Sequence, residues 1–279
     1  MMIPICIKYL TLKIKMNFIT GNEFKKLSNF VLDENGFVKT NNNNNEIPIF
    51  FVKTDLIDLF YSNYIPNYPF KLITHNSDYS INKNYLEYLD NKLLVSWYSQ
   101  NVNFKHKKLK SIPIGLENSQ WFPETRKIEK LFNINSTPKN IKNLVYLNLN
   151  ILNNPGVRQP IYDMLNNKPY VTTQYGRNGL GYDEYLDNLY NHKFMICPEG
   201  NGIDVHQPWE SLYVNTIPIQ KKNINNSNWR ELPICWLDDW EQLTDENFLI
   251  SEYKRISETK FDLSKLDFDY WRNKIQNSI

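Results

Sequence analysis

The chain has 279 residues, 41% of them hydrophobic and 14% aromatic, which is enough for one large or two small domains with a buried core. Its 32 lysines and arginines nearly balance its 30 aspartates and glutamates, and a net charge of +2 argues against a dedicated nucleic-acid surface. Three cysteines without a paired spacing do not indicate a disulfide framework, so the composition favours a reducing compartment.

The N-terminal residues 1–15 are apolar but interrupted by lysines. They are too short for a membrane span and lack a small-residue cleavage site, so we expect a cytoplasmic protein without an integral membrane span. Residues 41–45 are consecutive asparagines, which predict a solvated loop. Asparagine is abundant throughout, as is typical of AT-rich genomes, including viral ones.

In the first half of the chain, short apolar runs predict strands, and helices are expected to begin near Asp55 and Ile81. The composition becomes polar and charged over residues 123–140, and we place a domain boundary there, between residues 135 and 136. The predicted strands of this half are residues 47–52, 72–74, 93–97 and 112–114.

The second half repeats the alternation of strands and helices, which implies parallel sheets covered on both faces. The sequence therefore predicts an α/β protein of two compact Rossmann-like domains, residues 1–135 and 136–279, with a cleft between them. The predicted strands of the second half are residues 144–149, 194–197, 216–219 and 232–237, and the predicted helices are residues 155–166, 182–190, a helix from Trp240 onward, and 266–279.

Residues 194–219 predict a strand, a glycine loop, a helix and a second strand. Gly200 and Gly202 can adopt positive φ and let a ligand approach the backbone closely. Asp204 is a favourable N-cap, and Gln207 three residues later completes a box-like pattern. A helix N-terminus after a glycine loop favours anions, so phosphate is the expected ligand. A glycine pair before a helix also occurs as a simple tight turn.

This segment resembles the donor-site motif of the exostosin-like glycosyltransferases. Segments 72–78, 93–101 and 112–116 are similar to strand ends of the same family, in a more generic way. Two departures are visible, because Gln207 stands where the family has an arginine and Asn215 where it has a glycine. The matching residues are Pro198, Gly200, Asn201, Gly202, Asp204, His206, Trp209, Glu210, Leu212, Tyr213, Ile217 and Pro218.

The resemblance implies a GT-B-like fold whose first domain faces an acceptor and whose second domain binds a nucleotide sugar, taken here as UDP-linked. It implies that Glu210 binds the ribose hydroxyls and that His206 points at the sugar or phosphate. The other donor-side residues would be Glu199, Gly200, Asn201, Gly202 and Asp204. Arg158 and Arg177 are the candidates to replace the missing arginine at the diphosphate, although Arg158 could also be an ordinary surface arginine.

An inverting transfer needs a base for the acceptor hydroxyl. In GT-B enzymes this base comes from the first domain, where Asp78 is the preferred candidate and His75 the second. The run Asn76-Ser77-Asp78 is also good turn chemistry, so either residue could serve only to order the loop. The acceptor would be an oligosaccharide or a glycoprotein glycan.

We expect no metal and no cofactor other than the donor itself. The four histidines have no ligand spacing with cysteines. Asp267 and Asp269 form an Asp-x-Asp pair, but at the C-terminal end, where helix-start chemistry accounts for it. Two other functions stay open. Gln207 in place of arginine favours a degenerate module that binds nucleotide sugar or glycan, and residues 105–110 are the only basic run that could contact nucleic acid.

Overall fold

The computed structural model describes residues 16–40, 46–123, 139–175 and 181–278. In these ranges the chain forms two sheets, each surrounded by helices, and the halves of the chain do not exchange strands. This is the predicted α/β fold: two Rossmann-like halves with parallel sheets and a cleft between them, in a GT-B-like arrangement. The predicted boundary between residues 135 and 136 falls in a stretch that the structure does not describe.

The first sheet has the order β2-β1-β3-β4-β5-β6 among the described residues. Its pairs are parallel except for the β1–β2 hairpin, which is antiparallel and forms one edge. Its elements are α1 (Gly21–Leu27), β1 (Phe30–Asp33), β2 (Gly36–Lys39), β3 (Ile49–Lys53), α2 (Ile57–Asn63), β4 (Phe70–His75), α3 (Leu86–Leu89), β5 (Leu94–Ser99) and β6 (Leu109–Ser111).

The second sheet has the order β11-β10-β9-β7-β8, and the pairs described in it are all parallel. Its elements, with the helices that follow, are β7 (Asn143–Leu149), α4 (Pro155–Leu165), β8 (Val171–Tyr175), α5 (Tyr182–Tyr190), β9 (His192–Ile196), α6 (His206–Tyr213), β10 (Ile217–Lys221), β11 (Cys235–Leu237), α7 (Glu246–Glu258) and α8 (Phe268–Gln276).

The predicted elements are found with shifted ends, and two expectations were wrong. Residues 112–114 form no strand, because β6 ends at Ser111 and Pro113 has no N–H for a ladder. The helix expected from Ile81 is reduced to a capped 3₁₀ turn and the four residues of α3. The asparagine run and residues 1–15 lie outside the described residues.

The backbone conformation of Asn215 explains one departure from the exostosin-like motif that the segment resembles. Its φ is +64°, in the left-handed region that favours glycine and accepts asparagine best among the other residues. The N–H groups of Asn215 and Thr216 donate to the carbonyls of Leu212 and Ser211 at 3.2 and 2.9 Å, which is the hydrogen-bond pattern of a Schellman cap at the end of α6. Asparagine therefore performs the conformational role of the family's glycine.

The two halves share one apolar cluster behind the cleft. Within it Trp209 of α6, Trp229 and Trp271 of α8 pack edge to face, with ring centroids 5.4 and 6.3 Å apart. Helix α8 then returns to the first sheet, where the buried Lys71 ammonium donates to the carbonyls of Ile275 and Gln276 at 2.9 and 2.7 Å. A lysine that caps a helix C-terminus satisfies free carbonyls and the helix dipole together.

Among the described residues, no helix is both long enough and apolar enough to cross a membrane.

Candidate functional site

The cleft contains two adjoining cavities at the carboxyl ends of the strands, where ligands bind in open α/β sheets. The N-side cavity, of about 380 Å³, is lined by the loops of the first half, among them residues 75–78 and 114–121. The C-side cavity, of about 440 Å³, is lined by Asn148, Asn150, Arg158, Glu210 and the loop 200–207. Asp78, Ile114 and His206 line both.

The glycine loop is compact because its glycines touch neighbouring side chains. Neither Gly200 nor Gly202 has a positive φ, so that expectation was wrong. A Cβ on Gly200 would lie 2.8 Å from Nη2 of Arg158, and a Cβ on Gly202 would lie 2.7 Å from Nδ2 of Asn101. The glycines therefore allow a close approach, but the groups that approach them are protein side chains.

Asp204 does not cap α6, contrary to the sequence prediction. The N-cap is Val205, which has no side-chain cap, and Gln207 donates to the carbonyl of Asn148 at 2.9 Å instead of completing a box. The Asp204 carboxylate accepts from the N–H of Ile114 in the first half at 2.8 Å and from Trp209 Nε1 at 3.3 Å. Its own N–H donates to Asn101 at 2.8 Å. Asp204 therefore links the two halves of the chain through its hydrogen bonds to Ile114 and Asn101.

The Asp204 side chain is 4% exposed. Burial raises the pKa of its carboxyl to about 6, although the N–H groups of Ile114, Trp209 and Val205 favour the charged form and hold the pKa below what burial alone would give.

His206 opens α6 and lies against the first half. Its Nδ1 is 2.7 Å from the carbonyl of Gly115, and its Nε2 is 3.2 Å from the carboxylate of Glu117. Both partners can only accept, so both ring nitrogens carry hydrogen and the ring is an imidazolium. Burial lowers the pKa of His206, but the hydrogen bond and charge of Glu117 outweigh burial, and the pKa rises above its ordinary 6.5. His206, paired with Glu117, thus lies where the two cavities meet.

Glu210 lies on the wall of the C-side cavity, as the resemblance implies for a ribose ligand, and is 3% exposed. The hydroxyl of Tyr185 on α5 donates to its Oε2 at 2.5 Å, and Tyr182 approaches its Oε1 at 3.4 Å. Burial, and second to it the Glu210 carboxylate, raise the pKa of the Tyr185 hydroxyl well above its usual range. The tyrosines hold the carboxylate in one orientation and leave acceptor positions on its oxygens.

Arg158 is not a surface residue, and three of its N–H groups already bind backbone carbonyls. It is 4% exposed and donates to the carbonyls of Glu199 and Asn150 at 2.9 Å each, and to that of Pro198 at 3.4 Å. The guanidinium fork thus holds the glycine loop against the loop after β7. Gln207 lines the same cavity, and its Oε1 is enclosed without a hydrogen-bond partner.

The remaining candidates on the donor side are dispersed. Asn201 is exposed and lines the C-side cavity. Glu199 accepts a hydrogen bond from Asn223 at 3.1 Å and lines a third cavity behind the glycine loop. Arg177 lies outside the described residues.

The two candidate bases lie at the end of β4, where His75 is its last residue, and in the loop that follows it, which carries Asp78. Asp78 is exposed and lines both cavities. His75 is buried; its Nε2 is 3.1 Å from the carbonyl of Pro113, and its Nδ1 accepts from the N–H of Asn76 at 2.8 Å. Burial lowers the pKa of His75 to about 4, so the ring is neutral at pH 7.

The interpretation of Asp267 as a helix-start residue is confirmed, because it is the N-cap of α8 and accepts from the N–H of Asp269 at 2.9 Å. In the described part of the chain, no group of three or more histidine, cysteine, aspartate and glutamate side chains is placed to hold a metal ion.

Several residues of the site were not singled out from the sequence. The position of Asn150 and Asn153 follows from the carboxyl-end rule applied to β7. Tyr185, Glu117 and Asn101 had no such signal, because each acts through a contact with a segment distant in the chain.

Comparison with known proteins gives distant structural alignments. No protein-family model matches the sequence, and no curated protein matches it significantly. An α1,3-fucosyltransferase solved with GDP-fucose aligns with 85% of this chain and 80% of its own, at 14% identity and a TM-score of 0.43. A glycosyltransferase from Rickettsia africae ESF-5 aligns with 83% of this chain and 77% of its own, at 13% identity and a TM-score of 0.42. Membership of the exostosin-like family stays a prediction.

We expect Gly202→Ala to destabilise the protein by about 1–3 kcal/mol, because the new Cβ displaces Asn101, which joins the halves. Gly156→Ala is the matched control, since a Cβ there meets nothing within 4 Å. Urea unfolding of both variants measures the difference. Equal stability of the two would show that the glycine loop is not tightly packed against the first half.

The raised pKa of Asp204 predicts a pH-dependent stability. The folded protein binds this proton more tightly than the unfolded chain, whose aspartate has a pKa of about 3.8. Wild type should therefore gain stability relative to Asp204→Asn as the pH falls from about 6.5 to about 4, by on the order of 3 kcal/mol in total. Thermal unfolding of both proteins across this range measures it. A difference that does not change with pH would contradict the assignment.

Proposed function

We propose that this protein is a glycosyltransferase that moves a sugar from a nucleotide sugar in the C-side cavity to a glycan hydroxyl in the N-side cavity. The observation that carries the proposal is the wall shared by the two cavities, formed by Asp78, Ile114 and His206. Two substrates bound on either side of this wall would bring their reacting atoms together, which is the main requirement of a group transfer.

On the donor side, Glu210 is proposed to accept hydrogen bonds from the ribose hydroxyls, in the orientation set by Tyr185. The diphosphate would lie over the first amides of α6, whose N–H groups have no partner within the helix. His206, which is paired with Glu117, would border this position, and no metal ion is proposed. A UDP-linked donor and membership of the exostosin-like family follow from the sequence motif alone.

On the acceptor side, Asp78 is proposed as the base, because its exposed carboxylate borders both cavities. It would take the proton of the acceptor hydroxyl as the oxygen attacks the anomeric carbon, and the nucleoside diphosphate would leave from the opposite face with inversion. His75 is less suited, since its ring nitrogens are already hydrogen-bonded. We assign it the positioning of the loop that carries Asp78.

Two buried, unpaired cysteines, Cys197 and Cys235, agree with action in a reducing compartment such as the cytoplasm.

A second candidate is a module that binds a nucleotide sugar or a glycan without turnover. Gln207 replaces the family's arginine, and three of the N–H groups of Arg158 donate to backbone carbonyls. Within the described part of the C-side cavity, the positive charges that could oppose a diphosphate are therefore those of Arg158, which is engaged with backbone, and of His206, which is paired with Glu117.

Donor binding tests the proposal first. We expect one class among UDP, GDP and CMP sugars to raise the thermal unfolding temperature, with EDTA making no difference. Glu210→Gln keeps an acceptor for Tyr185 but loses the charge, and should weaken donor binding by about 10- to 100-fold in calorimetric titration. Glu246→Gln is the control, because Glu246 is exposed at the start of α7, away from both cavities. Absence of binding by any nucleotide sugar would refute both candidate functions on the donor side.

Turnover separates the two candidates. Asp78→Asn should lower kcat by about 10²- to 10⁴-fold with little change in donor affinity, because it removes only the base. Glu87→Gln, an exposed position outside both cavities, should behave as wild type. Donor binding by wild type without transfer to any glycan would favour the binding module, and full activity of Asp78→Asn would exclude Asp78 as the base.

A further inference from the structure

Trp121 is an exposed aromatic residue inside a polar cavity. It lines the N-side cavity, and 63% of its surface is exposed. A turn fixes its backbone, since its N–H donates to the carbonyl of Asn118 at 2.9 Å. An indole with this much exposed surface in a concave site is suited to be covered by a ligand. The apolar face of a sugar ring, formed by its axial C–H groups, has the matching shape and polarity.

The cations that line the N-side cavity are already paired. Lys25 pairs with Asp33, Lys53 with Glu34 at 3.8 Å, and His206 with Glu117 at 3.2 Å. Asp55 and Asp78 line the same cavity, and no cation among the described residues pairs with either of them. The described lining thus carries two carboxylates in excess of its cations.

This excess of carboxylates selects against acidic ligands. A sulfate, uronate or sialate group would meet no free cation of the described lining and would face the carboxylates of Asp55 and Asp78, which repel it. Carboxylates accept strong hydrogen bonds from hydroxyl groups, so the same side chains suit a sugar that presents only hydroxyl or amide groups.

The amide side chains of the cavity are held in fixed positions. Asn118 donates to Asn76 at 3.2 Å and accepts from the N–H of Asn22 at 2.8 Å. Gln100 accepts from the N–H of Asn76 at 3.1 Å and donates to the carbonyl of Ser77. These hydrogen bonds hold the loop that carries Asp78 in a fixed position relative to the turn that carries Trp121. The lining of the cavity is therefore preorganised for a ligand.

We infer that the N-side cavity binds a sugar without acidic groups, stacked on the indole of Trp121 and hydrogen-bonded to the carboxylates of Asp55 and Asp78. The inference rests on the proposed function in that this sugar is the acceptor. Trp121 sets the affinity for the acceptor and Asp55 contributes to its selectivity, while donor binding depends on neither.

The test compares three acceptors built on one neutral oligosaccharide: the unmodified form, a sulfated form and a form ending in a uronic acid. We expect kcat/KM for the unmodified form to exceed that for either acidic form by at least about tenfold. Trp121→Ala should raise KM for the unmodified form about tenfold, with kcat and donor affinity nearly unchanged, and Trp121→Phe should recover part of the loss. Asp55→Asn should reduce the ratio of kcat/KM for the unmodified form to kcat/KM for the acidic forms.

Tyr68→Ala is the matched control. Tyr68 is 40% exposed on the same half of the chain, but it precedes β4, at the amino ends of the strands and opposite the cleft, so its loss should change none of these values. Equal or better use of the acidic forms, or an unchanged KM in Trp121→Ala, would overturn the inference.

A glycan array keeps this test separate from that of the proposed function. If wild type transfers no sugar, binding of the same three oligosaccharides is measured directly on wild type and Trp121→Ala. Binding of the neutral form that is lost in the variant would support the inference while transfer fails. Preference for acidic glycans, or no glycan binding at all, would reject it whatever the donor experiments give.

Discussion

The carboxylate of Asp204 is the contact on which the arrangement of the cleft depends. It is buried in the second half of the chain, yet it accepts a hydrogen bond from Ile114 of the first half. A buried carboxylate without donors would cost several kcal/mol, so the halves must stay in the register that supplies the Ile114 N–H. The approach of Gly202 to Asn101 and the pairing of His206 with Glu117 belong to the same register.

The segment from Gly200 to Glu210 therefore combines two kinds of residue. Gly202, Asp204 and His206 contact the first half of the chain and so shape the cleft. Arg158 stabilises the glycine loop by donating to the carbonyl of Glu199. Glu210 is the acidic member that lies on the cavity wall with acceptor positions left for a ligand. Residues that match a donor-site motif thus also stabilise the contact between the halves, so the match has a structural role as well as a role in ligand binding.

Much of the fold could be predicted from the sequence. The strands β4, β5, β7 and β9 each contain a short apolar run and are almost entirely buried, and such runs can be recognised in the sequence. The β1–β2 hairpin was missed although Glu34-Asn35-Gly36 is a favourable turn sequence, because its flanking strands have only four residues each. The assignment of Asp204 as an N-cap was wrong, because a local rule cannot anticipate a stronger partner from the other half of the chain.

The sequence by itself determined the order of strands and helices, the strand–loop–helix–strand unit around residues 194–219, and the loops at the carboxyl ends of the strands. These depend on periodicity and on residues close together in the chain. Only the tertiary structure decided the partners of Asp204, 90 and 103 residues away, the enclosure of Arg158, and the meeting of two cavities at Asp78 and His206. Such contacts form when two halves dock, and docking is set by the shape and burial of whole surfaces rather than by any local pattern.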